Sequence, residues 1–215
     1  MHIPDGFISP KAYVPAYVAA AGLWSYALGR VRRNLDDEAI PRVAVLTAFS
    51  FVLMMILLPL PGGTSVHAAG IGVLAVLFGV WTAFLCVSLV LLLQALLFGS
   101  GGITSLPVNA LAMGLIGGTA AAASYRLLRP LHERAALFAA GWLSINFAAL
   151  VLAIALGVQP SLARSPDGTP LFFPFGLSVT IPAVMIPHAV IGVGEGALTV
   201  IVCGLFAKLA KERGS

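Results

Sequence analysis

The sequence predicts an all-α membrane protein, about seven transmembrane helices forming a single integral membrane substrate-binding domain over residues 1–215, and three observations predict it. Hydrophobic residues make up 60% of the chain and charged residues only 9%, with a mean hydropathy of +1.02. A soluble domain carries roughly 25% charged residues. Apolar stretches recur at about the length that crosses a bilayer core of about 30 Å. Basic residues gather in alternate connections between those stretches.

Taken in order, the first stretch covers 12–29 and places Ala12, Ala16 and Ala20 at four-residue spacing, small residues that let helices approach closely in lipid. The second, 42–60, does the same with Ala44 and Ala48. Residues 68–98 form one nearly unbroken apolar run, too long for one span and short for two. A break at Gly79, Trp81 and Thr82 divides it into spans at 67–81 and 83–98. The fifth and sixth spans are 107–125 and 135–157. The seventh, 177–207, contains Pro182 and Pro187, which predict a kink or a non-helical entry. Gly114 with Gly118, and Gly192 with Gly196, repeat the small-residue spacing and read as packing within the bundle. Cys86 and Cys203 sit singly in apolar runs and read as packing residues, since a disulfide or zinc framework needs clustered spacing.

The net charge is +4, and its placement matters more than its sum. Arg30, Arg32, Arg33 and Arg42 flank the first connection; Arg126, Arg129 and Arg134 flank that near 130; Lys208, Lys211 and Arg213 close the chain. By the positive-inside rule these mark the cytoplasmic side, and Lys11 and Arg164 fall outside. The N-terminus, the 59–66, 98–107 and 159–175 loops then face away from the cytoplasm, in a multi-pass protein of the bacterial inner membrane. Residues 1–10 have neither a basic n-region nor an apolar core, so no signal peptide is expected. There is no basic stripe with interleaved aromatics and no nucleic-acid partner is expected.

The chain begins Met1-His2, and a bulky second residue predicts retention of Met1. The Met1 amine, the His2 backbone nitrogen and a ring nitrogen of His2 lie at fused-ring chelate spacing, three nitrogens in one plane suited to a divalent late transition metal. The competing reading is an ordinary residue at a chain end. Of the other histidines, His132 lies in the basic connection and His188 follows Pro187 within the last span. His67 shares the N-terminal face and follows a Pro/Gly stretch able to bend into the bundle, so it fits as the fourth donor. A helix-end histidine can equally be a solvated or capping residue.

Met-His-Ile-Pro-Asp-Gly-Phe-Ile-Ser-Pro at 1–10, Pro-Gly-Gly-Thr-Ser-Val-His at 61–67, Gln-Ala-Leu-Leu-Phe-Gly-Ser-Gly-Gly-Ile-Thr at 94–104 and His-Ala-Val-Ile-Gly-Val-Gly-Glu-Gly at 188–196 resemble the CbiM/NikM family. These are substrate-specific components of energy-coupling-factor transporters for cobalt and nickel. The resemblance implies seven helices, an N-terminus threaded into the bundle, and an ion held by the Met1 amine, the His2 amide and imidazole, and His67. It implies partners too: a transmembrane coupling subunit, two ATPase subunits and a small accessory membrane protein. The start and the unfused form look more like the cobalt branch, which implies Co2+ uptake feeding cobalamin biosynthesis, with Ni2+ uptake as the alternative. Leu106-Pro107-Val108-Asn109 departs from the family's Gly-Ala-Asn, matching only at Asn109.

Several residues are placed around the ion on this reading. Glu195, a carboxylate in an apolar span, either is a structural residue or supports the pocket in a polar network with Gln94, Asn109 and His188. Asp5 either holds the N-terminal loop or is a turn residue before Gly6; Ser65 lies beside His67. Ala44 and Ala48 are candidates for partner docking. No catalytic residue is expected. The lysines, Lys11, Lys208 and Lys211, follow no glycine-rich turn, so a Walker A loop is missing and ATP hydrolysis would come from partners. His132-Glu133 lacks the second histidine of a metallohydrolase. A self-sufficient channel or secondary transporter is the stronger rival, though internal repeats and abundant intramembrane charges are not found.

Overall fold

The computed structural model describes residues 2–60 and 64–213, and most of these are helical. Residues 2–9 lead into α1 (Pro10–Asn34), which begins after Ser9 with Pro10 in its first turn, where a missing N–H costs nothing. Asp36 accepts from the Ala39 N–H at 2.7 Å as α2 (Ala39–Met55) starts. The expected span of 42–60 ends early. Beyond Met55 the chain forms a hairpin, β1 (Leu58–Leu60) antiparallel to β2 (Thr64–Val66), with Pro59 opposite Ser65. Proline cannot donate to a helix ladder and drives the residue before it extended. The Pro61-Gly62-Gly63 stretch, expected to bend into the bundle, lies outside the described residues, as does Met1.

Only half of the expected 67–81 span is helical: 67–70 stay irregular and α3 (Ile71–Phe78) stops at Gly79, whose φ of 83° suits glycine. Gly79 alone makes the break, because Trp81 and Thr82 already belong to α4 (Val80–Phe98). The next rod is composite: α5 (Leu106–Ala110), a π-helical stretch at Leu111–Gly117, then α6 (Gly118–Leu128). His132 caps α7 (Glu133–Gly157) by accepting from the Ala135 N–H at 3.1 Å. The short α8 (Gln159–Leu162) and an irregular stretch precede α9 (Leu177–Arg213), which runs helical through Pro182 and Pro187; the expected non-helical entry is not found. Among the described residues four rods are long and apolar enough to cross a membrane: Val80–Phe98, Leu106–Leu128, Glu133–Leu162 and Leu177–Leu209. α2 is apolar but shorter, α3 is eight residues, and α1 carries Lys11 and three arginines.

α7 is the hub, packed on α6, α9, α3 and the π stretch. Small residues make this possible. A Cβ on Gly72 of α3 would stand 2.8 Å from Gly141 Cα of α7 and 2.8 Å from Thr199 Oγ1 of α9. Gly114, Gly192 and Gly196 are packed as tightly, against Phe84, Asn146 and Phe138, whereas Gly118 meets neighbours only at ordinary contact distance. Cys86 and Cys203 are buried free thiols. Large apolar side chains such as Val18, Val52, Leu97, Leu127, Val190 and Ile201 point outward, the arrangement of a bundle whose solvent is lipid.

The two ends of the bundle differ. At one, Arg42, Tyr125, Glu133, Arg134 and Cys203 surround a common cavity, and Arg30, Gly79 and Arg126 line another. At the other, residues 2–9 meet the 101–105 loop, α8 and Phe173. Arg30, Arg42, Arg126 and Arg134 thus gather away from the N-terminal segment, whereas Lys11 and Arg164 bond backbone carbonyls of α8 beside it.

Candidate metal centre

The N-terminal segment is threaded into the protein by polar clamps rather than by regular structure. Asn109, in α5, accepts the Ile3 N–H at 2.8 Å and donates from Nδ2 to the Ile3 carbonyl at 3.0 Å; Ser105 Oγ donates to the same carbonyl. Asp5 accepts from the Ile103 N–H at 3.1 Å, the Thr104 N–H at 2.8 Å and the Thr104 hydroxyl. Gln159 Oε1 accepts the Ser9 N–H at 2.9 Å, and Tyr17 donates its hydroxyl to Ile103 O. Ile3 and Ile8 are buried, each contributing roughly 1.5–3 kcal/mol if fully removed from water. Asp5 is exposed, and burial, though it raises the carboxyl, is outweighed by the Thr104 and Ile103 donors, which hold it below 3.8.

The 67–70 loop is held from two helices. Glu195 Oε2 of α9 accepts the Ala69 N–H at 2.8 Å, just before the start of α3. Ser50 of α2 donates to the Ala69 carbonyl. Glu195 and Ser50 are wholly buried.

These two segments bring His2 and His67 together, buried, with ring centroids 4.8 Å apart and planes tilted by 44°. His67 Nδ1 lies 3.0 Å from the Ala68 carbonyl, which can only accept, so Nδ1 holds the proton and Nε2 keeps a bare lone pair. Among the described residues that Nε2 is buried and has no hydrogen-bond partner, and the same holds for His2 Nε2. The Gly101 backbone lies against the His2 ring: a Cβ there would come within 3.3 Å of Nδ1. Burial pushes the His2 imidazolium down to about 3, with the Gln94 amide working against the shift, and drives His67 well below 6.5, His2 adding to the effect. Both rings are therefore neutral donors at physiological pH.

Among the described residues no three His, Cys, Asp or Glu side chains sit close enough to hold an ion. Two imidazoles need further donors, and the chemistry that would complete the set is backbone or terminal nitrogen at the start of the chain.

A family model described as cobalt uptake substrate-specific transmembrane region matches residues 2–213. The chain belongs to this family, CbiM. It is 41% identical over 99% of its length to a fused nickel transport protein NikMN of Rhodobacter capsulatus, and 41% over 98% to a probable fused nickel transport protein LarMN of Lactiplantibacillus plantarum. It spans 62% and 65% of those two relatives' own lengths. It is 36% identical over its whole length to a putative cobalt transport protein CbiM of Halobacterium salinarum, covering 96% of that protein. A crystal structure titled as a truncated transition metal transporter superposes with a TM-score of 0.93 at 38% identity, covering 97% of this chain and 99% of that one. Membership of this transmembrane family makes the CbiM-type chain membrane-integral, and its relatives are named as transport proteins.

Among the described residues, Glu195, Gln94, Asn109 and His188 share no direct hydrogen bond and each has its own backbone partner. Asn109 and Asp5 secure the N-terminal segment and Glu195 secures the 67–70 loop. Gln94, wholly buried, faces His2 on one side and donates to the Phe51 carbonyl at 3.3 Å on the other. Ser65 lies in β2 opposite Pro59. His188 is buried in α9, its Nδ1 2.7 Å from the Val184 carbonyl. Ala44 and Ala48 are exposed on α2 beside an apolar groove shared with Leu89 and Leu93 of α4. Sequence reasoning missed Ser50, Ser105 and Gln159, polar residues buried within or beside apolar helices, a cost in lipid that marks a partner.

Proposed function

We propose that this CbiM-family chain is the substrate-capture subunit of an ATP-driven importer of the energy-coupling-factor type, binding a divalent late transition metal ion through the Met1 amine, the His2 amide and imidazole, and His67. The observation that carries this reading is the buried His2–His67 pair, in which His67 Nε2 has no hydrogen-bond partner among the described residues, formed by a segment clamped at its Ile3 backbone. Neutral nitrogen donors select such ions over magnesium and calcium, which take oxygen. Since both rings are already neutral, protons released on binding come from the amine and amide. Seven membrane crossings, an extracytoplasmic N-terminus and a cytoplasmic C-terminus in the bacterial inner membrane belong to this proposal, as do a transmembrane coupling subunit docking at Ala44 and Ala48, two ATPases and a small accessory membrane protein.

Cobalt, supplying cobalamin synthesis, is one reading of the cargo and is supported by the family description. Nickel is the other, supported by the names of the two relatives at 41% identity. The test is metal content of the purified, C-terminally tagged chain after exposure to equal Co2+ and Ni2+, beside an N-terminally extended version. About one ion per native-start chain and none in the extended form is expected, and the retained ion identifies the cargo. Equal content in both forms overturns the chelate.

A further inference from the structure

His188 is not explained by packing alone. Its Nδ1 faces the Val184 carbonyl, an acceptor only, so the proton sits on Nδ1 and Nε2 carries a bare lone pair. That Nε2 is buried without a hydrogen-bond partner among the described residues, in a side chain 1% exposed. His67 has the same configuration: Nδ1 bound to a backbone carbonyl, Nε2 bare and buried. His188 precedes Glu195, which holds the 67–70 loop, by about two helical turns on the same face of α9, and β2, the strand leading into His67, packs on α9. Yet His188 does not join His2 and His67 in a three-ligand cluster. It is a ready nitrogen donor beside the pair but outside its coordination distance.

Nearby geometry keeps it there. Trp142 Nε1 donates to the Ala189 carbonyl at 3.0 Å, and Gly192 lies so close to Asn146 that a Cβ would come within 2.7 Å of it, so this turn of α9 is held against α7. A histidine kept in the donor tautomer on a fixed turn, without a partner, suits a ligand that is used in passing.

We propose that His188 is an exchange ligand: a divalent ion moving into or out of the His2/His67 site is held for part of its passage by His188 Nε2. The step is a substitution of one nitrogen–metal bond for another; Nε2 brings its own electron pair and no proton has to leave. The inference rests on the metal-capture reading above. By microscopic reversibility an exchange ligand speeds loading and unloading equally and leaves the equilibrium affinity unchanged, which separates it from a resident ligand and from a structural residue.

The experiment follows Ni2+ loading, and Ni2+ release to an excess of chelator, in the full-length detergent-purified chain with a C-terminal tag. A donor held in place outpaces one arriving from solution, so His188→Ala is expected to slow both rates by about tenfold or more, with Kd unchanged. Free imidazole should restore both rates. His188→Gln, which keeps a donor for the Val184 carbonyl, should fold as the wild type and be as slow as His188→Ala; it decides the matter should the alanine variant not fold. Wild-type rates in the glutamine variant overturn the proposal, as does a weakened Kd with unchanged loading. If the wild-type chain itself retains no Ni2+, the capture reading fails instead.

Discussion

Two segments meet at the candidate centre and are fastened in different ways. The 67–70 loop is gripped by Ser50 and Glu195, both wholly buried, from α2 and α9. The 2–9 segment is gripped at Ile3 by buried Asn109 and Ser105, but at Asp5 by an exposed carboxylate on the 103–104 loop. An exposed bond exchanges with water at little cost, whereas a buried group stripped of its partner bears its full desolvation. His67 therefore stands on the rigid side of the site and His2 on the side that can give, so opening should begin at the N-terminal segment.

The strongest way to break that contrast is Gly141→Ala. Its Cβ would stand 2.5 Å from the Glu195 carbonyl and 2.5 Å from Thr199 Oγ1, wedging α7 from α9 where Glu195 begins its reach. A stability loss of about 1–3 kcal/mol or more is expected in thermal unfolding, together with loss of metal; a variant as stable as wild type would show that the rigid side is not rigid. Glu195→Ala comes next, leaving the Ala69 N–H unpaired at a cost of about 1–3 kcal/mol, while Glu195→Gln keeps an acceptor and should recover most of it. Equal losses in the two variants would mean that charge, rather than the bond to Ala69, is what matters.

Asn109→Ala should sharpen the contrast from the other side. The variant leaves the buried Ile3 N–H without its acceptor, which costs about 1–3 kcal/mol if the segment stays in place and less if it swings out to water; a give in the N-terminal segment should appear as the smaller loss, with retained metal falling steeply in the same preparation. A large unfolding shift with metal retained would reverse the assignment of the two sides. Asp5→Asn should have the smallest effect, visible as pH dependence. The Asp5 carboxyl is held below 3.8 in the folded chain, so its stabilisation is full above 3.8 and fades as pH falls through the lower folded value. Proteolysis of the N-terminal segment should therefore rise with acid in the wild type and respond less in the variant; identical acid profiles would remove Asp5 from the clamp.

Much of this was legible in the sequence because lipid makes composition speak. The apolar stretches at 83–98, 135–157 and 177–207 became α4, α7 and α9 with small changes at their ends, since a long apolar run in a membrane has little choice but to be helical. The pairing of His2 with His67 was readable from side and spacing. Less legible were the places where local backbone chemistry overrode hydropathy: Leu58-Pro59-Leu60 is as apolar as a helix but forms a strand, and 67–70 stays irregular because Glu195 and Ser50, distant in sequence, take up the Ala69 backbone. A single apolar window cannot register a partner that lies 126 positions away.

The π-helical stretch from Leu111 to Gly117 begins two residues after Asn109. One residue of helix corresponds to roughly 100° of rotation about its axis. Deleting any one residue here would turn Asn109 away from Ile3 or Gly117 away from its seat on Ser144, where a Cβ would stand 2.8 Å from the carbonyl. Substitutions among its apolar residues should be borne easily; a change in its length should not. The stretch acts as a gauge block, a spacer whose count of residues carries more information than their identity.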